Sequence, residues 1–177
     1  MTANASSQPS GWTADAHRFL RTARARQIAV VPDAGLSRLL ALCESDRTMR
    51  VVRLTTEEEG VALLAGAWLG GEKGILLMQS SGVGNCVNML GLALACRFPL
   101  LMLVTMRGEP GESNPAQVPM GSAVERVLDA MGVQVSRAER EDEIAFLLAA
   151  AFDRAYADES PHAVLIAQRA LGFKEFK

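Results

Sequence analysis

The sequence predicts an α/β domain, a doubly wound sheet of six mainly parallel strands with helices on both faces. Three observations carry that reading. Short apolar runs alternate along the chain with longer segments whose apolar residues recur at helical spacing. The short runs are apolar at nearly every position, as in Ile28-Ala29-Val30-Val31 and Leu100-Leu101-Met102-Leu103-Val104, the pattern of strands buried on both faces. Turn residues punctuate the boundaries, at Pro32-Asp33-Ala34-Gly35, Gly70-Gly71 and Gly132.

Taken in order, residues 13–25 read as a helix, with Phe19, Leu20 and Ala23 on one side and Arg18, Arg21, Arg24 and Arg26 around them. Residues 28–31 form a buried strand ended by a turn. Leu36, Leu39, Leu40 and Cys43 then recur at helical period. A second strand over 49–54 leads into a helix that opens Thr55-Thr56-Glu57-Glu58-Glu59 and closes at Gly70-Gly71. Residues 74–79 form a third strand and 85–96 the next helix. Residues 100–105 are a strand, followed by a long loop. Ser122 and Glu125 have the spacing of a capping box, opening a helix that Gly132 ends. Residues 133–136 are strand-like. The helix over 140–157 carries Ile144, Leu148 and Phe152 four apart, and 163–167 is the last strand. The 13–177 segment is expected to be one domain without internal repeats, after a flexible tail over 1–12.

Composition narrows the classes. The chain has 177 residues, enough for one domain with a substantial core and short for two. A net charge of −2 lacks the electrostatic footprint of nucleic-acid binding. Three cysteines (Cys43, Cys86, Cys96) without C-x-x-C spacing point to a reducing compartment rather than to disulfides or zinc. The opening residues lack the basic start and apolar run of a signal peptide, and no apolar run reaches the length of a membrane span. The expected location is the cytoplasm.

In a parallel sheet, ligands sit at the carboxyl ends of the strands. The stretches there are 32–36, 55–59, 79–85 and 105–121. The helix after Glu57-Glu58-Glu59 is apolar on nearly every face, so part of its acidic first turn sits at the mouth of a buried helix. A capping box between Thr56 and Glu59 accounts for Glu59, and solvent accounts for Glu58. Neither gives Glu57 a task. Gln79-Ser80-Ser81-Gly82-Val83-Gly84-Asn85 places two glycines between a strand and a helix, either to let backbone approach a ligand or simply to pack tightly. It matches neither dinucleotide nor phosphate-loop fingerprints. Arg107 stands at a strand end, open to an anion or paired with Glu109 or Glu112. Cys86 reads as a helix-start thiol or, more simply, a packing residue. His17 and His162 have no metal-ligand spacing around them, and no G-x-S-x-G elbow is present.

T-T-E-E-E-G-V-A-L-L-A-G-A-W-L-G-G, followed by L-L-M-Q-S-S-G-V-G-N, resembles the pyrimidine-binding domain of thiamine diphosphate-dependent 2-oxoacid decarboxylases. V-P-D near the start, M-R-G-E-P-G-E and P-A-Q-V-P-M-G extend the likeness over about residues 28–170. Within that family it is most similar to the alpha subunits of sulfopyruvate decarboxylases, then to phosphonopyruvate decarboxylases. The resemblance implies that Glu57, nine residues before Gly66, hydrogen-bonds the cofactor's aminopyrimidine as the catalytic acid. It implies that Gln79, Ser80, Ser81, Gly82 and Asn85 line thiamine diphosphate, and that Asp33, Arg107 and Gln117 meet a small anionic 2-oxoacid. Ser80 stands where family members often have asparagine. No G-D-G segment is present, so the resemblance places Mg2+ and the diphosphate on a beta subunit carrying G-D-G and a downstream asparagine. The implied reaction takes 3-sulfopyruvate to sulfoacetaldehyde and CO2 in a hetero-oligomer. Phosphonopyruvate, or a non-catalytic scaffold role for the same fold, is the alternative.

Overall fold

A computed structural model of the protein describes residues 11–171; residues 1–10 of the expected tail, and 172–177, lie outside them. Twelve main elements alternate. They are α1 (Trp12–Thr22), β1 (Ala25–Val30), α2 (Ser37–Ser45), β2 (Arg50–Arg53), α3 (Glu58–Leu69), β3 (Lys73–Gln79), α4 (Ser80–Cys96), β4 (Leu100–Thr105), α5 (Val118–Ala130), β5 (Gln134–Ala138), α6 (Glu141–Asp158) and β6 (Pro161–Ile166). The strands form one sheet in the order β2-β1-β3-β4-β6-β5, and every pairing is parallel. The doubly wound α/β reading therefore holds.

The side-chain period of two along each strand divides the core. Ile28, Val30, Ile75, Leu77, Leu101, Leu103, Val164 and Ile166 face one layer, where they pack with residues of α1, α2 and α6 such as Leu20, Leu39, Leu148 and Phe152. Ala29, Leu76, Met78, Met102, Val104, Ala163 and Leu165 face the other, with Val61 and Leu64 of α3, Cys86 and Leu90 of α4, and Val124 and Leu128 of α5. Each such fully buried Leu or Val contributes about 1.5–3 kcal/mol of burial free energy. Edge strand β2 is short, with arginine at both ends exposed, which blunts it against pairing with other chains.

Two local expectations fail, each for a physical reason. The helix expected at 85 begins at Ser80, so the glycine-rich stretch is the first turn of α4 rather than a loop. Close packing, not a turn, explains both glycines: a Cβ on Gly82 would meet Glu57, and one on Gly84 would lie 3.2 Å from the Met120 sulfur. The capping box expected at Ser122 and Glu125 is absent. Helix α5 starts earlier, at Val118 with Pro119 in its first turn, and the Ser122 hydroxyl donates to the Pro119 carbonyl inside the helix at 3.0 Å. Among the described residues, no helix is long and apolar enough to cross a membrane.

Candidate active site

Strand β2 hands the chain directly to Glu57, the residue at the N-cap position of α3. Gly60 lets this helix lie close on β3, because a Cβ there would come 2.5 Å from Leu76 and 2.9 Å from Leu54. That approach carries Glu57 inward, leaving it only 5% exposed. The Asn85 side-chain amide donates to Glu57 Oε2 at 2.7 Å. Oε1 has no hydrogen bond among the described residues, and it lies beside Gly82, where any Cβ would come within 2.4 Å of it.

The neighbouring acids are otherwise employed. Glu58 is half-buried and accepts the Thr56 hydroxyl, which, with the helix backbone, holds its carboxyl below the usual range. Glu59 is exposed and accepts the Thr55 amide at 2.9 Å. The expected Thr56–Glu59 capping box is thus not formed. The N-cap position falls on Glu57 rather than Thr56, which puts Gly60 where the box needs a glutamate.

A second cluster occupies the carboxyl ends of β1, β4 and β6. Asp33, Gly35, Thr105, Met106, Arg107 and Gln168 are among the residues lining one cleft there. Asp33 Oδ2 accepts the Gly35 amide at 2.7 Å and the Thr105 hydroxyl at 3.0 Å, tying the end of β1 to that of β4. Arg107 grips Glu112 bidentately, Nε to Oε2 at 2.7 Å and Nη2 to Oε1 at 2.8 Å. Glu112 also accepts from the amides of Gly108 at 3.2 Å and Asn114 at 2.9 Å, and from the Gln168 side chain at 3.2 Å. Led by the Arg107 contact, these bonds pull the Glu112 carboxyl down to about 2, and the same pairing raises Arg107. Of the two readings of Arg107, the paired one is therefore found, with Glu112 as partner. Glu109 instead meets Arg137.

Ser80 bridges the two clusters. It is fully buried, and its hydroxyl accepts the Arg107 backbone amide at 3.0 Å. Gln79 and Ser81 are half-buried beside it, and Asn85 is exposed apart from its bond to Glu57. Gln117 does not line the cleft with Asp33 and Arg107. It precedes α5, where its carbonyl lies so near Gly108 that a Cβ there would approach to 2.5 Å, and its side-chain oxygen is buried without a partner among the described residues. Gly108 has φ +76, a conformation that glycine adopts freely. Cys86 is not at a helix start; it lies in the second turn of α4, where burial first, then Glu57, pushes its thiol up to about 12. It is a packing residue. His17 bonds Asp46 at 3.1 Å, and His162 is buried on β6, which lowers its pKa.

Sequence reasoning missed Thr105 and Gln168 as site residues, and treated Glu112 only as a surface partner. Both omitted residues lie at or just beyond the carboxyl end of a strand, and that position was the available signal.

No family model matches the chain. It is 36% identical over 139 residues to the sulfopyruvate decarboxylase subunit alpha of Methanocaldococcus jannaschii, a match covering 78% of this chain and 82% of that protein. The chain belongs to the sulfopyruvate decarboxylase alpha-subunit family. It is also 41% identical over 91 residues to the phosphonopyruvate decarboxylase of Streptomyces hygroscopicus, covering 51% of this chain and 23% of that one. Among solved structures it resembles 2-oxoglutarate:ferredoxin oxidoreductase from Magnetococcus marinus, with a TM-score of 0.70 and 15% identity. That match takes in 93% of this chain and 30% of the other; at such identity the likeness shows the fold.

Proposed function

We propose that this chain is the alpha subunit of a split thiamine diphosphate-dependent decarboxylase that converts 3-sulfopyruvate to sulfoacetaldehyde and CO2. The observation that carries the reading is Glu57, a buried carboxyl group with one oxygen held by Asn85 and the other unbonded beside a glycine. This donor set fits an aminopyrimidine ring nitrogen. One free oxygen is enough to share a proton, and the missing side chain of Gly82 is what lets the Glu57 carboxyl group lie against α4. When bound, thiamine diphosphate supplies a nucleophilic carbon and an electron sink for decarboxylation.

The remaining tasks belong to the chain. Asn85 fixes the rotamer of Glu57, so that Oε1 is presented rather than Oε2. The burial of Glu57 limits the access of water to its side chain. In this reading Asp33 and Arg107 meet the anionic substrate, with Ser80 tying the Arg107 backbone to the cofactor side. Gln117, outside their cleft, would reach substrate only by movement of its loop. Among the described residues no three His, Cys, Asp or Glu side chains converge as metal ligands. The resemblance assigns magnesium and the diphosphate to a beta subunit carrying G-D-G and a downstream asparagine. Exposed Leu69 of α3 and Leu92 of α4 offer apolar surface for such a subunit.

The test is co-purification of the partner with this chain, followed by CO2 release from 3-sulfopyruvate in the presence of thiamine diphosphate and Mg2+. Turnover that needs both chains supports the proposal, and a partnerless, inactive chain refutes it. Phosphonopyruvate is the second reading, favoured by the Streptomyces relative.

A further inference from the structure

We propose that Glu112 is a specificity-determining residue: by occupying the fork of Arg107, it makes the cleft accept a singly charged sulfonate and reject a doubly charged phosphonate. The inference rests on the decarboxylase reading and goes further by choosing between its two substrates.

Among the described residues, those lining the cleft include one cation, Arg107, and two carboxylates, Asp33 and Glu112. The cation is largely spent. Its Nε and Nη2 both donate to Glu112, leaving Nη1 as the edge of the guanidinium without a hydrogen bond among the described residues. Glu112 is not a loose surface acid that an incoming anion displaces easily. Its side chain is 2% exposed, and its oxygens take five donors from Arg107, Gly108, Asn114 and Gln168. All five of those donors would lose their acceptor if it left.

Asp33 adds a second fixed negative charge, held by Gly35 and Thr105. An anion entering this cleft gains one guanidinium edge and faces two carboxylates. A sulfonate has a single charge spread over three oxygens, and one such edge can offset it. A phosphonate ionises a second time near neutrality, as a phosphate monoester does, and the added charge meets net repulsion in a half-buried setting where charges are weakly screened. Uncompensated like charge, rather than shape, then separates two tetrahedral oxyanions of similar size.

The assembled two-subunit enzyme is assayed with 3-sulfopyruvate and 3-phosphonopyruvate, wild type beside Glu112→Gln. The neutral amide keeps the size of Glu112 and removes its charge. The expected result is that the ratio of kcat/KM for phosphonopyruvate over that for sulfopyruvate rises roughly tenfold or more. A folded, active variant with an unchanged ratio overturns the inference while the decarboxylase reading stands. Failure of the wild-type complex to turn over either substrate sinks both.

Should the variant not fold, the wild-type ratio is followed from mildly alkaline to mildly acidic pH. Among the described residues, the groups facing the substrate are Asp33 from the end of β1, Arg107 and Glu112 from the loop after β4, and neutral Gln168 after β6. Over that range the phosphonate takes up a proton and the sulfonate does not. Titrations of the enzyme that affect both substrates alike cancel in the ratio. The ratio is expected to rise as pH falls; a flat profile overturns the inference.

Discussion

Glu57 and Glu112 are both buried carboxyl groups at the carboxyl edge of one sheet, yet they are built in opposite ways. Glu112 takes five hydrogen bonds, including both arms of a guanidinium. Among the described residues Glu57 takes one, from Asn85, and its second oxygen is left beside a glycine. A carboxylate with its acceptor capacity filled is a fixed charge and a structural tie. One with capacity to spare is available to a donor that the chain itself does not supply. The contrast teaches that burial alone does not distinguish the two acids; the acceptor capacity that the fold leaves unfilled does.

The comparison breaks most sharply at Glu57. Glu57→Gln in the assembled complex is expected to lower kcat by about 10²–10⁴, with thermal unfolding of the chain little changed. Turnover at the wild-type level would remove Glu57 from catalysis and favour a scaffold role. Next comes Gly82→Ala, whose Cβ would fall 2.4 Å from Glu57 Oε1 and 2.5 Å from its Cδ. Overpacking of this kind costs about 1–3 kcal/mol, and displacement of the acid should reduce activity well beyond that of a surface control. Denaturant unfolding and steady-state rates, measured on the same preparation, separate the two effects.

Glu112 sharpens the other side. Its carboxyl titrates at about 2 in the folded chain, against an ordinary 4.5. A depressed folded value stabilises the fold above the unfolded pKa, and that contribution fades as pH falls from 4.5 through 2. The stability gap between wild type and Glu112→Gln should therefore narrow across that acid window, read by unfolding at a series of pH values. A constant gap would mean that the ion pair carries no linkage. The smallest effect is expected at Leu69, which is 88% exposed. Leu69→Lys should alter the stability of the isolated chain by no more than about 0.5 kcal/mol, while weakening capture of the beta subunit in a pull-down. Unchanged capture would move the partner surface elsewhere.

Much of this was legible in the chain. The alternation of apolar runs with helical periods gave six strands and their helices because buried parallel strands must be apolar on both faces. Glu57 stood out from Glu58 and Glu59 because helix capping and solvent left it without a local task, although the capping box behind that argument is not formed. The start of α4 was misplaced because glycine reads as a loop when only the neighbouring residues are considered. Gly82 is helical, and its missing side chain is filled by Glu57, a residue from another helix.

Residue order settles whatever depends on neighbours along the chain: strand and helix type, the acidic start of a buried helix, and the loops at strand ends. Which charges are spent and which are free is settled only once the chain is folded. Arg107 looked equally able to pair with Glu109 or Glu112, or to meet an anion. The choice is made by donors that converge on Glu112, among them Gln168, 56 residues further on. Hydrogen-bond satisfaction is a property of groups brought together in space, and so the charge of the cleft cannot be read from the order of residues that build it.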